Sequence, residues 1–193
     1  MRVAVQFRLQ CSVLALILVS GCGASGRPPD TSPTLETGVV GGRLVMPEDL
    51  AGALRASVRV VGTAVSAAVG SSGEFVLANV PAGPLELHFT GQGLAAGIIA
   101  GEIAGGETVT LNVHAGANAL RIDSIARVRG NDATIEGAVE ASGDTLPANT
   151  VIIGGRSVQL PDGRRASLKP GVRVRVTGTV SGAGIIARDL VIL

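Results

Sequence analysis

Tyrosine and tryptophan are absent from this 193-residue chain, and phenylalanine occurs three times. Aromatic rings are the platforms on which sugars and bases usually stack, so a sugar-binding platform and a base-stacking groove are excluded. Cysteine occurs twice, and Cys11 lies inside an apolar N-terminal run. That excludes a disulfide framework and a cysteine-based zinc site. Two histidines, His88 and His114, leave little for acid–base or metal chemistry, and no cofactor is expected. Lysine is nearly missing, with Lys169 alone beside fifteen arginines. The net charge is +1, so the chain as a whole carries no polyanion-binding signal.

Glycine is plentiful. There are 28 glycines and 9 prolines, yet hydrophobic residues make up 46% and charged residues only 16%. A disordered coil would be less apolar and more charged. Short strands joined by tight turns fit better, so the expected fold class is all-β.

The first 22 residues read MRVAVQFRLQCSVLALILVSGC. Arg2 and Arg8 form a basic start, Cys11 to Val19 an apolar core, and Ser20-Gly21 a small-residue cleavage region. This is the layout of a secretory signal peptide over residues 1–21, and its apolar core, Cys11 to Val19, is too short to span a bilayer as an ordinary helix. Val19-Ser20-Gly21-Cys22 resembles the lipobox of bacterial lipoproteins, although that family usually has Leu where Val19 stands. The resemblance implies cleavage between Gly21 and Cys22 and acylation of Cys22. Several acyl chains together anchor a protein stably, whereas one binds only marginally. It also implies an envelope location, with Gly23 after the cysteine permitting transfer to an outer membrane, facing the periplasm or the surface. An ordinary signal peptide with a chance cysteine and a retained helical anchor are the competing readings. Removing Arg2 and Arg8 with the leader leaves fourteen basic against fifteen acidic residues, and Cys22 as the only cysteine.

Residues 22–36 hold the cysteine and a linker, GASGRPPDTSPTLE, with Pro28, Pro29 and Pro33 among Gly, Ser and Thr. It has no hydrophobic period and reaches about 40 Å if mostly polyproline-like. From Thr37 onward the pattern is strand after strand. Leu85-Glu86-Leu87-His88-Phe89 alternates, with Leu85, Leu87 and Phe89 inward and Glu86 and His88 outward. Gly91 to Gly106 is too rich in glycine for a helix and is expected to form short strands and loops. Val172-Arg173-Val174-Arg175-Val176 alternates as cleanly, placing Arg173 and Arg175 on one face.

Thr63 to Phe75, Asn79-Val80-Pro81-Ala82-Gly83 and Leu85-Glu86-Leu87 together resemble the transthyretin-like regulatory domain of carboxypeptidases. Ser71-Ser72 and Leu85 depart from that pattern. The resemblance implies a seven-stranded β-sandwich over residues 37–118, a structural or interaction module without catalytic residues. Leu168-Lys169-Pro170-Gly171-Val172-Arg173-Val174 and Ala187-Arg188-Asp189-Leu190 resemble a small exported bacterial β-barrel domain of unknown function. Its strand rhythm is similar to that of an oligonucleotide/oligosaccharide-binding (OB) barrel. That implies an OB-like barrel over residues 119–193 and transfers no activity.

Few residues cluster in a way that carries chemistry. Gly182-x-Gly184-x-x-Ala187 superficially fits a dinucleotide fingerprint, but no helix follows to receive a phosphate, so a hairpin turn is expected. Glu48-Asp49 lacks the repeating acidic pattern of a calcium loop. No nucleophile–base set is apparent, so catalysis is not expected. Residues 37–118 carry three basic and six acidic groups, whereas residues 119–193 carry ten and seven. Arg164, Arg165, Lys169, Arg173 and Arg175 form a candidate polyanion contact. The plainer readings are a solvated strand face or docking against the acidic first unit. Nucleic acid is not an expected partner, because no aromatics interleave with the arginines.

These features lead to an expected non-catalytic, lipid-anchored envelope protein that binds the membrane through its acyl chains and another envelope protein through its folded part. The alternative is recognition of an anionic glycan by the basic barrel face.

Overall fold

The computed structural model of the protein describes residues 36–46, 55–91, 94–116, 119–142, 146–147, 149–161 and 168–193. The segments expected to be a signal peptide, a lipobox and, but for Glu36, a tether lie outside them, as do Glu48-Asp49. Thr34–Leu193 forms one compact unit. Among the described residues there are thirteen strands and no helix. None of the structure there is a helix long and apolar enough to cross a membrane.

The strands of the first half are β1 (Thr37–Val45), β2 (Ser57–Val60), β3 (Ser66–Ala68), β4 (Glu74–Pro81), β5 (Gly83–Gly91), β6 (Leu94–Ile103) and β7 (Glu107–Ala115). Those of the second are β8 (Leu120–Arg129), β9 (Asp132–Ser142), β10 (Thr150–Ile153), β11 (Arg156–Gln159), β12 (Arg173–Ser181) and β13 (Gly184–Ile192). One sheet has four strands, in the order β3-β2-β5-β6. The other has nine, in the order β10-β11-β13-β12-β9-β8-β7-β1-β4.

Period-two alternation explains how the first half packs. Leu85, Leu87 and Phe89 on β5 are fully buried, as their spacing predicts. They meet Val40 and Leu44 of β1, Leu77 of β4 and Leu111 of β7 in one core between the two sheets. Phe75 and Phe89 meet edge to face, with ring centroids 5.4 Å apart. Glu86 is exposed as expected, but His88 is half-buried and its Nδ1 has no hydrogen-bond partner.

The glycine-rich stretch differs from expectation. Residues 94–103 form one ten-residue strand, β6, rather than short strands and loops. Glycine weakens an isolated strand, but β5 lies alongside and pairs with β6 over most of its length. The one interruption is a bulge opposite Pro84–Glu86, where Gly101 takes a φ of 86°.

The second half closes on itself. β10 pairs with β9 as well as with β11, so β9, β10, β11, β13 and β12 form a closed five-stranded ring. All neighbours in the ring are antiparallel except β11 and β13, which are parallel. Ile135, Val139, Val151, Ile153, Val158, Val174, Val176 and Ile185 fill it. The turn at Gly182 joins β12 to β13 as an antiparallel hairpin, as expected.

β8 serves both halves. It pairs with β7 on one side and β9 on the other. Ile122 and Ile125 pack on the first core, while Ala126 and Val128 pack on the second. The outer face of the sandwich sheet therefore becomes the inner face of the barrel. The β10–β11 turn at Gly154 sits against Ser124 of β8, and Arg156 of β11 reaches Thr110 of β7 at 3.4 Å. Arg127, on β8, donates to the carbonyls of Ala100 and Glu102 on β6 and pairs with Glu107 at 3.3 Å. One side chain thus fastens the two sheets at their shared margin.

Candidate functional site

Of the candidate basic residues, Arg173 and Arg175 fall on the outside of the barrel. Strand alternation turns Val174 and Val176 inward, so Arg173 and Arg175 face out together, as the sequence predicts. In register, Arg175 lies opposite Glu136 of β9. Its Nε and Nη2 both donate to Glu136 Oε2, at 3.0 and 2.9 Å. Arg173 approaches the other carboxylate oxygen at 3.7 Å. One glutamate thus stands between the two arginines. The side chains are 52%, 45% and 27% exposed for Arg175, Arg173 and Glu136. Water screens such a cluster, and it adds at most about 1 kcal/mol to stability.

The charge continues across the sheet with alternating sign. Arg121 pairs with Asp123 on β8 at 2.9 Å, and His114 Nδ1 of β7 is 3.9 Å from the same carboxylate. Glu140 of β9 accepts from the backbone N–H of Gly155 at 3.0 Å. Arg121, Asp123, Ala138, Glu140, Gly171 and Arg173 line a shallow cleft of about 410 Å³. Arg121, Arg173 and Arg175 are thus matched by Asp123, Glu136 and Glu140, and this part of the surface is of mixed sign.

Lys169 is exposed in the turn leading to β12, where its carbonyl accepts from Val172 N–H at 3.2 Å. The structure does not gather it into the Arg–Glu–Arg cluster. Arg164 and Arg165, like Gly21 and Cys22, lie outside the described residues. Contact between the acidic first half and the basic second half does occur, but through Arg127 and Glu107. No group of three or more potential metal ligands occurs among the described residues.

Sequence reasoning missed Glu136 and Arg127. Glu136 lies 39 positions before Arg175, and only the β9–β12 register brings them together. Arg127 acts across 25 and 27 positions, onto backbone atoms that carry no side-chain signature. Compared with family models, curated proteins and solved structures, the chain finds no match.

Proposed function

We propose that this protein is a non-catalytic, lipid-anchored component of a bacterial cell envelope that acts as a structural or protein-interaction module. The observation that carries the reading is the unbroken nine-stranded sheet, which makes two β units a single body suited to presenting a surface. The N-terminal layout supports the anchor: a signal peptide, Cys22 as the acylated residue, and a proline-rich tether that holds the body clear of lipid headgroups. We read the first half as a transthyretin-like sandwich, supported by seven strands in two facing sheets and by the Asn79–Gly83 turn. We read the second as an OB-like barrel. Its support is a ring in which the first strand meets the second and fourth, and the third and fifth run parallel. Placement in the outer membrane, facing the periplasm or the surface, and an envelope protein as partner belong to the same reading.

The exposure of Arg173 and Arg175 favours a second reading, contact with an anionic glycan or another polyanion. Glu136 between them weakens it, because an incoming anion must compete with a carboxylate already bound.

The anchor is tested by replacing Cys22 with Ala and following radiolabelled palmitate incorporation and membrane partition. Both are expected to be lost, and unchanged labelling and partition would overturn the anchor. Calorimetric titration with an anionic polysaccharide separates the two readings. Salt-sensitive binding that disappears in the Arg173→Gln/Arg175→Gln variant would replace the first reading by the second.

A further inference from the structure

The edges of the four-stranded sheet are unequal. β3 is three residues long, too short to template much pairing. On the other sheet, the edge strand β4 is protected by Pro81 at its end and by Asn79, held at a φ of 57°. β6 has ten residues, and none from Leu94 to Gly101 is charged. It pairs with β5 on one side and with no other strand among the described residues.

Backbone direction follows from the register. Val61 N–H donates to the Glu86 carbonyl at 2.9 Å, so Glu86 turns its backbone groups toward the β2 side. Ile99 lies opposite Glu86 across the β5–β6 ladder, so it turns its own N–H and C=O away from β5, to the open edge. By two-residue alternation Gly97 and Ala95 do the same. The Ala100 and Glu102 carbonyls beyond them are already taken by Arg127. The unpaired stretch therefore ends where the arginine begins. Ile99 is 74% exposed, and Gly97 is exposed beside it.

We propose that β6 is a self-pairing edge, at which two copies of this chain meet antiparallel about a two-fold axis through Gly97. That axis sets the backbone of Gly97 against its own copy and those of Ala95 and Ile99 against each other, so the outward groups of all three are paired. It also sets Leu94 opposite Ala100, Ile98 opposite Ala96 and Ile99 opposite Ala95. Each large residue thus falls opposite a small one. No like charges meet, which a partner strand of arbitrary sequence would not guarantee. The chain's own tether is a poorer occupant, because Pro28, Pro29 and Pro33 remove the donors a ladder needs. The contact is isologous and closes at two copies. It does not depend on lipid anchoring, so it stands or falls separately from the proposed function.

Cross-linking of the full chain, purified in detergent, tests the register. A Cβ at position 97 meets its nearest neighbours at an ordinary 3.7 Å, so Gly97→Cys fits the fold. Directly opposed, hydrogen-bonded residues have Cα atoms about 5.5 Å apart, within disulfide range. With Cys11 and Cys22 replaced by Ser in the parent chain and every variant and copper–phenanthroline as oxidant, Gly97→Cys is expected to give a reducible dimer. The parent chain and Ile186→Cys, on the exposed barrel strand β13, are expected to give little. Sedimentation of the unmodified chain should show a doubled protein mass as concentration rises, and Ile99→Lys should return it to one copy. A chain of unit mass at every concentration would overturn the proposal. So would a dimer that Ile99→Lys leaves intact, or one in which Ile186→Cys cross-links as readily as Gly97→Cys.

Discussion

The sandwich and the barrel reach full burial with different side chains. Between the two sheets lie Phe75, Phe89, Leu77, Leu85, Leu87 and Leu111. Inside the ring the largest fully buried residues are Ile135, Ile153 and Ile185, and no aromatic is present. Sheets facing at about 10 Å leave room for an edge-to-face ring pair. A five-stranded ring is narrower and is filled mainly by valine and isoleucine, with alanine and two leucines, Leu160 and Leu168. The aromatic shortage is therefore unevenly distributed. Two phenylalanines sit in the sandwich core, and the third, Phe7, lies outside the described residues.

The contrast predicts a graded set of effects. Phe89→Ala removes half of the ring pair and opens a cavity in the wider core, for an expected loss of about 3–5 kcal/mol. Urea unfolding followed by far-ultraviolet circular dichroism measures it. Because β8 belongs to both cores, the barrel amides should lose protection with those of the sandwich in hydrogen exchange. Unchanged barrel protection would show that the halves unfold separately.

Gly178→Ala tests the narrow ring. A Cβ there would run into the carbonyl of Ile186 across the β12–β13 bulge. The expected cost is about 3 kcal/mol, read from the shift in urea midpoint. A cost near zero would mean that the ring yields as easily as a loop.

Arg127→Met removes the fastening between the sheets. It strands two carbonyls and leaves Glu107, 12% exposed, without its cation. About 2 kcal/mol is expected, with faster amide exchange concentrated in β6. Uniformly faster exchange in every strand would argue against a local fastening.

Arg175→Gln should change stability by less than about 1 kcal/mol, because the Glu136 pair is half exposed. A larger loss would make the charged barrel face a stability element like Arg127.

Alternation was the legible part of the fold. Leu85, Leu87 and Phe89 are buried and Arg173 and Arg175 outward, as their spacing says. β6 was illegible because glycine penalties describe an isolated segment, whereas β5 supplies its hydrogen bonds. Of the candidate site, the shared face of the two arginines was legible, but Glu136 was not. His88 was half legible: it lies off the core face, yet its Nδ1 is enclosed among neighbouring strands.

The sequence by itself determined that this is a chain of strands and which face of each turns inward. Those features depend on neighbours two residues apart. It also carries the signal-like start and the uncharged run that became β6. Only the tertiary structure decided that β9 to β13 close into a ring, that β8 divides its faces between two cores, and that a glutamate stands between the two arginines. Those outcomes depend on register between strands tens of residues apart, and register is set when all the hydrophobic faces are buried at once.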